Sequence, residues 1–237
     1  MGDFLNLVTP FFSTPTTYAQ MLKKLAGLAF YEVFLITFLL RSIPQVDGAL
    51  ESVESLIPHS TMYNLGGLAI ALLVALLSHI VHLHDRISDL IGIRRRFDRN
   101  HILIPLAELV GVKITPQRRE AMAQNRDRLM REVFYKYASS RAENPLVDKH
   151  DIEHALAQWA WLWAFVEGTV FFSIGAAVAL VFGGSRLGVW LLAVALAFVA
   201  IAFALSFRLP RYARAEIEAI AADNSARRHV RASFDAL

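Results

Sequence analysis

The stretch WAWLWAFVEGTVFFSIGAAVALVFGGSRLGVWLLAVALAFVAIAFALSF, residues 159–207, decides how the chain is read. A helix needs roughly 20 apolar residues to cross a hydrocarbon core about 30 Å thick, because no water is available there to satisfy its backbone. Residues 159–182 reach that length with Glu167 as their single acid, and residues 187–207 reach it with no charge. Only Gly183, Gly184, Ser185 and Arg186 separate them, so an antiparallel helical hairpin is expected. Two earlier runs also qualify. Residues 25–43 carry Glu32 near the middle and Arg41 at the end, where a long side chain can reach toward headgroups, and residues 65–83 carry no formal charge.

Composition agrees with this reading. The chain has 237 residues, 55% hydrophobic and only 19% charged, with a mean hydropathy of +0.41, which argues against an ordinary soluble enzyme. It contains no cysteine, which excludes disulfides, thiolate metal sites and thiol catalysis and leaves His, Asp and Glu as the strong metal ligands. A formal net charge of +3 is too small to point to nucleic-acid binding by the whole chain.

The charges are distributed asymmetrically. Lys23 and Lys24 precede the first run, whereas the loop at 44–64 has no Lys or Arg and carries Asp47, Glu51 and Glu54. Residues 84–158 are rich in arginine, and the tail begins with Arg208, Arg211 and Arg214. Basic residues near short loops mark the cytoplasmic side, and Trp159, Trp161, Trp163 and Trp190 stand at the expected boundaries. The expectation is therefore an all-α integral membrane protein of the bacterial inner membrane. It has four transmembrane helices, both termini in the cytoplasm and a small helical cytosolic domain between helices 2 and 3.

The expected organisation runs from an interfacial segment at 1–24, with Phe4, Leu5, Leu7, Val8, Phe11 and Phe12 as its apolar side, to a first hairpin at 25–83. A cytosolic helical domain at 84–158 follows, then a second hairpin at 159–207 and an amphipathic tail at 208–237. The second span is expected to run on through Asp89 to the arginine cluster until Pro105 interrupts it. Thr115 before Pro116 marks a helix start, which the spacing of Met122, Leu129, Met130, Val133, Phe134 and Tyr137 extends to Ser140. Asp148 caps a further helix that continues into the third span. So polar a segment is too small to bury a core alone, which points to packing on helix ends or on other copies. Ile217, Ile220 and Ala221 give the tail an apolar side suited to a surface helix or an oligomer contact.

Three groups of residues could carry chemistry. Glu32 and Glu167 are ionisable groups within spans, which cost roughly 3 kcal/mol on insertion scales and usually face a bundle interior or a water-filled cavity. They suit an ion pathway or proton coupling; the plainer role is packing, hydrogen-bonded to Thr37, Thr169 or Ser173. On a continuous helix, His79, His82, Asp85 and Asp89 share one broad face, where a metal or a proton relay would fit, and His84 lies among them in sequence. Arg94, Arg95, Arg96 and Arg99 precede His101 and suit phosphate or lipid-headgroup binding. Their spacing resembles the arginine-to-histidine signature of helical RNases of the HEPN superfamily, which would imply phosphate stabilisation by arginine and proton handling by histidine. That resemblance covers only eight residues.

In its threading, with a large loop between spans two and three and a tight outer hairpin, the chain resembles the flagellar stator subunit family. That resemblance implies coupling of cation flow to work in an oligomer, but the prolines of that family's third and fourth spans are missing from 159–207. The leading expectation is an oligomeric four-span protein, channel-like or a membrane-permeabilising effector, controlled through its basic cytosolic domain. The lipid bilayer, further copies and a cytosolic protein or anionic ligand are its expected partners, with no cofactor and no nucleic acid. A metal-dependent or nuclease-like enzyme at the cytosolic surface, and a passive scaffold or sensor that docks a cytosolic protein, are the alternatives.

Overall fold

The computed structural model describes residues 14–56, 64–139 and 145–237, which are 83% helical and contain no strand. The apolar segment expected before residue 13, and Ser140 at the expected helix end, lie outside the described residues. The helices are α1 (Tyr18–Leu40), α2 (Pro44–Glu54), α3 (Leu65–Val81), α4 (Leu83–Ile91), α5 (Ile93–Phe97), α6 (Ile104–Leu109), α7 (Pro116–Gln124), α8 (Arg126–Leu129), α9 (Lys149–Val181), α10 (Ser185–Ser206), α11 (Leu209–Ala222) and α12 (Asn224–Asp235). Two π-helical stretches, Asp98–Leu103 and Met130–Tyr135, lead into α6 and out of α8. Two helices are long and apolar enough to cross a membrane, and the number rises to four if α1 with α2 and α3 with α4, bent by 119° and 62°, are each one span.

The chain divides into two compact units. The first is built from Leu22–Arg86 and Ala160–Leu205. Two of its helices, α3 and α10, turn small residues inward and large apolar ones outward, against a core that also holds Ile36, Phe171 and Phe172. On α3, Gly66, Gly67, Ala71, Ala75 and Ser78 are buried, whereas Leu72, Leu73, Leu76, Leu77 and Ile80 are exposed. On α10, Gly188, Ala195 and Ala202 face inward while Ala193, Ala197, Ala200 and Ala204 face out, so only part of the expected alanine stripe mediates close packing. Gly183, at φ +87, makes the tight turn between α9 and α10. Gly168 permits a close approach: a Cβ there would stand 2.6 Å from the Phe198 ring and 2.7 Å from Glu32 Oε1.

The loop expected at 44–64 contains a helix, α2, and Arg41 holds it in place. The Arg41 side chain is only 6% exposed and does not extend to the surface. Its guanidinium donates to Asp47 Oδ1 at 2.7 Å and to Asn64 Oδ1 at 2.8 Å, and it pairs with Glu54. Glu54 Oε1 also accepts from the Gly66 amide at 3.0 Å, which ties the end of α2 to the start of α3. The fork geometry of guanidinium lets one residue serve three acceptors.

The second unit comprises Ile87–Trp159 and Ser206–Leu237, with the short segment Thr14–Met21. Thr115 Oγ1 accepts from the Arg118 amide at 3.2 Å and Asp148 Oδ1 from the His150 amide at 2.7 Å, so both expected helix starts are present. From Lys149 the chain continues as one 33-residue helix, about 50 Å long. Three expectations are corrected. The helix of the second span does not run on to the arginines: it breaks at His82, with φ 49 and ψ 58, and again at Gly92, with φ +73. Pro105 does not interrupt: residues 93–109 stay helical through it, and the proline follows directly on the π-helical stretch Asp98–Leu103, where the hydrogen-bond register has already changed. The tail is neither a bare surface helix nor left for an oligomer contact. Ile217, Ile220, Val230 and Phe234 of α11 and α12 are each at most 1% exposed and pack with Leu103, Leu106 and Met122. The segment at 87–159 thus acquires a core by enclosing the tail.

Replacing Arg41 with Ala should destabilise the protein by about 2 to 3 kcal/mol. This is below the ~3–5 kcal/mol for breaking a fully buried pair, because Asp47 is 37% exposed. Denaturant titration in detergent measures the loss, and Arg41→Lys should recover only part of it.

Candidate functional site

Glu167, on α9, is 1% exposed and stands in the interior of the first unit. Ser78 Oγ of α3 donates to its Oε2 at 3.3 Å. Its other oxygen, Oε1, takes no hydrogen bond and lies 3.8 Å from His84 Nδ1. His84 is itself 3% exposed; its Nε2 is 3.6 Å from Asp85 Oδ1, and its ring centroid is 6.2 Å from that of Trp163. On the far side, Glu32 of α1 sits against Gly168, close enough to Glu167 for the two carboxyls to interact electrostatically. Glu32 Oε2 is buried without a hydrogen-bond partner. The two threonines that could have satisfied these acids donate instead to their own helices, Thr37 to Phe34 O at 2.9 Å and Thr169 to Phe165 O at 2.8 Å. Glu32, Glu167, Ser78, His84 and Asp85 therefore make one polar file through an apolar bundle, ending at an Asp85 side chain that is 32% exposed.

The break at His82 creates the outer end of this file. In a continuous α-helix, residues two apart point about 200° away from each other and cannot share a ligand. His82 leaves the helix in the left-handed region, which costs a non-glycine residue about 1–3 kcal/mol. The change of direction brings His82 and His84 together, with ring centroids 6.1 Å apart. One ligand atom each from His82, His84 and Asp85 lies within 4.8 Å of the others. The histidine and carboxylate face expected from the sequence is thus assembled differently. His82 and Asp85 belong to it, His84 joins them, and exposed His79 stands outside the group. Asp89 lies in the second unit, where Arg95 Nε pairs with it at 3.3 Å.

Three arginines of the expected cluster, Arg94, Arg95 and Arg99, have partners within the protein. Arg94 donates to the Tyr135 hydroxyl at 3.4 Å, and Arg99 donates to Asn100 Oδ1 at 3.1 Å. Arg96 is exposed, and the His101 ring packs on Phe97 at 5.1 Å. At their centre is a residue that sequence reasoning passed over. Asp98 is 4% exposed in the π-helical stretch, 3.5 Å from Arg126 Nη1. Burial pushes its carboxyl up to about 6, against the pull of Arg94 and Arg126 and with a smaller push from Asp127 and Asp89. The signal for it was its place in the run RRRFDR, where the surrounding charges make one acid look solvated. In the first unit, Lys24 is buried with its ammonium 4.7 Å from the Trp161 ring centroid, and Trp163 faces inward at 4% exposure. Trp190, at 64%, is exposed.

The chain belongs to the YmfE protein family, whose sequence model matches residues 17–236. No curated protein and no solved structure gives a significant match.

Asp98 carries a pH signature. An acid whose carboxyl is pushed up on folding makes the native state bind the extra proton, so stability is greatest near pH 4 and falls as pH rises through 6. The share due to Asp98 should approach about 3 kcal/mol, read as the difference between wild type and Asp98→Asn in denaturant titrations at successive pH values; the variant keeps a fall of its own, because burial pushes the Glu216 carboxyl up to about 8.

Proposed function

We propose that this YmfE-family protein is a channel-like membrane protein, in which Glu32 and Glu167 form the point where a cation or proton passes through the bundle. The observation that carries the reading is the meeting of two carboxyls, from α1 and α9, inside a unit whose walls are Phe, Ile and Ala. Each has a buried oxygen without a hydrogen-bond partner. Acids serving only to fix packing would be expected to have their oxygens satisfied, because an unpaired buried polar atom costs about 1–3 kcal/mol. The polar file from Glu32 through Glu167 and His84 to partly exposed Asp85 supports a route from the interior to an edge.

On this reading the chain crosses a bacterial inner membrane four times, with both termini and the basic unit in the cytoplasm and the acidic segment at 44–56 outside. Copies associate in the bilayer. The arginine-rich unit, built on Asp98 and enclosing the tail, receives the cytosolic protein or anionic ligand that controls conduction, as in a membrane-permeabilising effector. The paired arginines and the position of His101 on Phe97 give the nuclease-like alternative no added support.

Vesicles of phosphatidylethanolamine and phosphatidylglycerol containing the purified full chain test the proposal. Under an imposed potential, wild-type protein should pass protons or monovalent cations, read by trapped indicator dyes. Glu32→Gln and Glu167→Gln should each lower the flux by about tenfold or more, as expected when a buried charge on the route is removed. Flux no greater than in protein-free vesicles, or flux unchanged in both variants, would overturn it.

A further inference from the structure

We infer that His82, His84 and Asp85 form a binding site for a divalent transition metal of the zinc class, with Glu167 as the group that orients His84. The inference is independent of the conduction reading. It rests on four observations about the first unit.

The donor set is chemically specific. Two imidazoles and one carboxylate, in a chain without cysteine, suit zinc and its neighbours and do not suit calcium or magnesium, which prefer all-oxygen shells. The geometry is close to what is needed: the three ligand atoms lie within 4.8 Å of one another, and ligands in a tetrahedral zinc shell stand ~3.3 Å apart. His82 is exposed, so its ring can move inward by rotation about its side-chain bonds.

The backbone is arranged for the same purpose. His82 takes the left-handed conformation that glycine would adopt without strain, and only that break lets residues 82 and 84 share a ligand. A plain turn at this point would be served better by glycine, the residue found at the neighbouring break at 92.

The fourth observation comes from another helix. A metal-bound histidine almost always donates its second ring N–H to a carboxylate or carbonyl, which fixes the tautomer and raises the ligand's basicity. His84 presents Nε2 toward Asp85 and Nδ1 toward Glu167 Oε1, at 3.6 and 3.8 Å. That carboxyl oxygen is buried and takes no hydrogen bond, so it is the acceptor that a metal-bound His84 requires. Three protein ligands leave a fourth position for water, which makes the site an open one at the edge of the unit.

Calorimetric titration of the chelator-treated full chain in detergent with zinc chloride tests this inference, and cobalt chloride gives a second readout through the intense visible absorption of a tetrahedral site. One zinc should bind per chain. His82→Ala and Asp85→Ala should weaken binding by about 100-fold, and His79→Ala should leave it unchanged, since His79 lies outside the group. Glu167→Gln should keep the stoichiometry but weaken binding by about 10- to 100-fold, the usual effect of losing an orienting carboxylate. Because His84 is buried, exposed His82 is the primary variant, and gel filtration shows that each variant remains folded. The absence of saturable zinc binding, or binding by His82→Ala equal to wild type, would overturn the inference. Neither result bears on metal-free flux in vesicles, so the two readings fail separately.

Discussion

An acid placed among apolar helices must find partners inside the protein, because neither water nor lipid can supply them, and the first unit is organised around that requirement at Glu167. One oxygen is met by Ser78, which is available because α3 turns its small residues inward. The other faces His84, a histidine that reaches the interior only because the chain changes direction at His82. Glu32 approaches from α1 through the space left by the missing side chain of Gly168. The small inward faces, the break after α3 and the polar file are thus three consequences of holding carboxyls within an apolar bundle. Arg41 shows the same rule with the opposite sign, a buried cation satisfied by acceptors from α2 and the approach to α3.

The features legible in the sequence are those governed by local physics. Length and hydropathy identified the apolar helices, because a run of 20 such residues has few other uses in a chain. Thr115 and Asp148 were legible as caps because a cap depends only on the next two or three residues. The inward side of α10 was not legible. With apolar residues on every face, composition does not distinguish Ala195 and Ala202, which pack inward, from Ala193 and Ala197, which do not. Partner choice settles that, and it is a tertiary matter.

The second unit shows why an estimate from segment length alone fell short. The segment at 84–158 was expected to be too small and too polar to bury a core alone, yet most of the cluster, including Leu103, Leu106, Met122, Leu129 and Val133, is its own, and what it lacks is a partner to close that cluster. The missing surface comes from about sixty residues further along, where Ile217, Ile220, Val230 and Phe234 complete the cluster around Leu103 and Leu106. The amphipathic side of the tail was visible in sequence, but amphipathicity does not say whether the facing surface is lipid, another copy or the same chain. The unit also conceals Asp98, whose burial beside Arg94 and Arg126 no charge count could indicate.

The candidate site was half legible for a related reason. Assigning His79, His82, Asp85 and Asp89 to one face assumed an uninterrupted helix, a reasonable assumption where no glycine or proline stands between 79 and 91. Breaks without those residues carry little sequence signal, since histidine enters the left-handed region only when its surroundings hold it there. Once the break is known, the arrangement changes in kind. A helical face would offer four ligands in a row along the surface, displayed to solvent. The kink instead gathers two histidines and an aspartate around one point and sets a buried glutamate behind the inner histidine. The strain at His82 and the unsatisfied oxygen of Glu167 are separate local costs on different helices. A single ion at that point would offset the first, by giving His82 a ligand to hold, and relieve the second, by fixing the His84 proton toward Glu167.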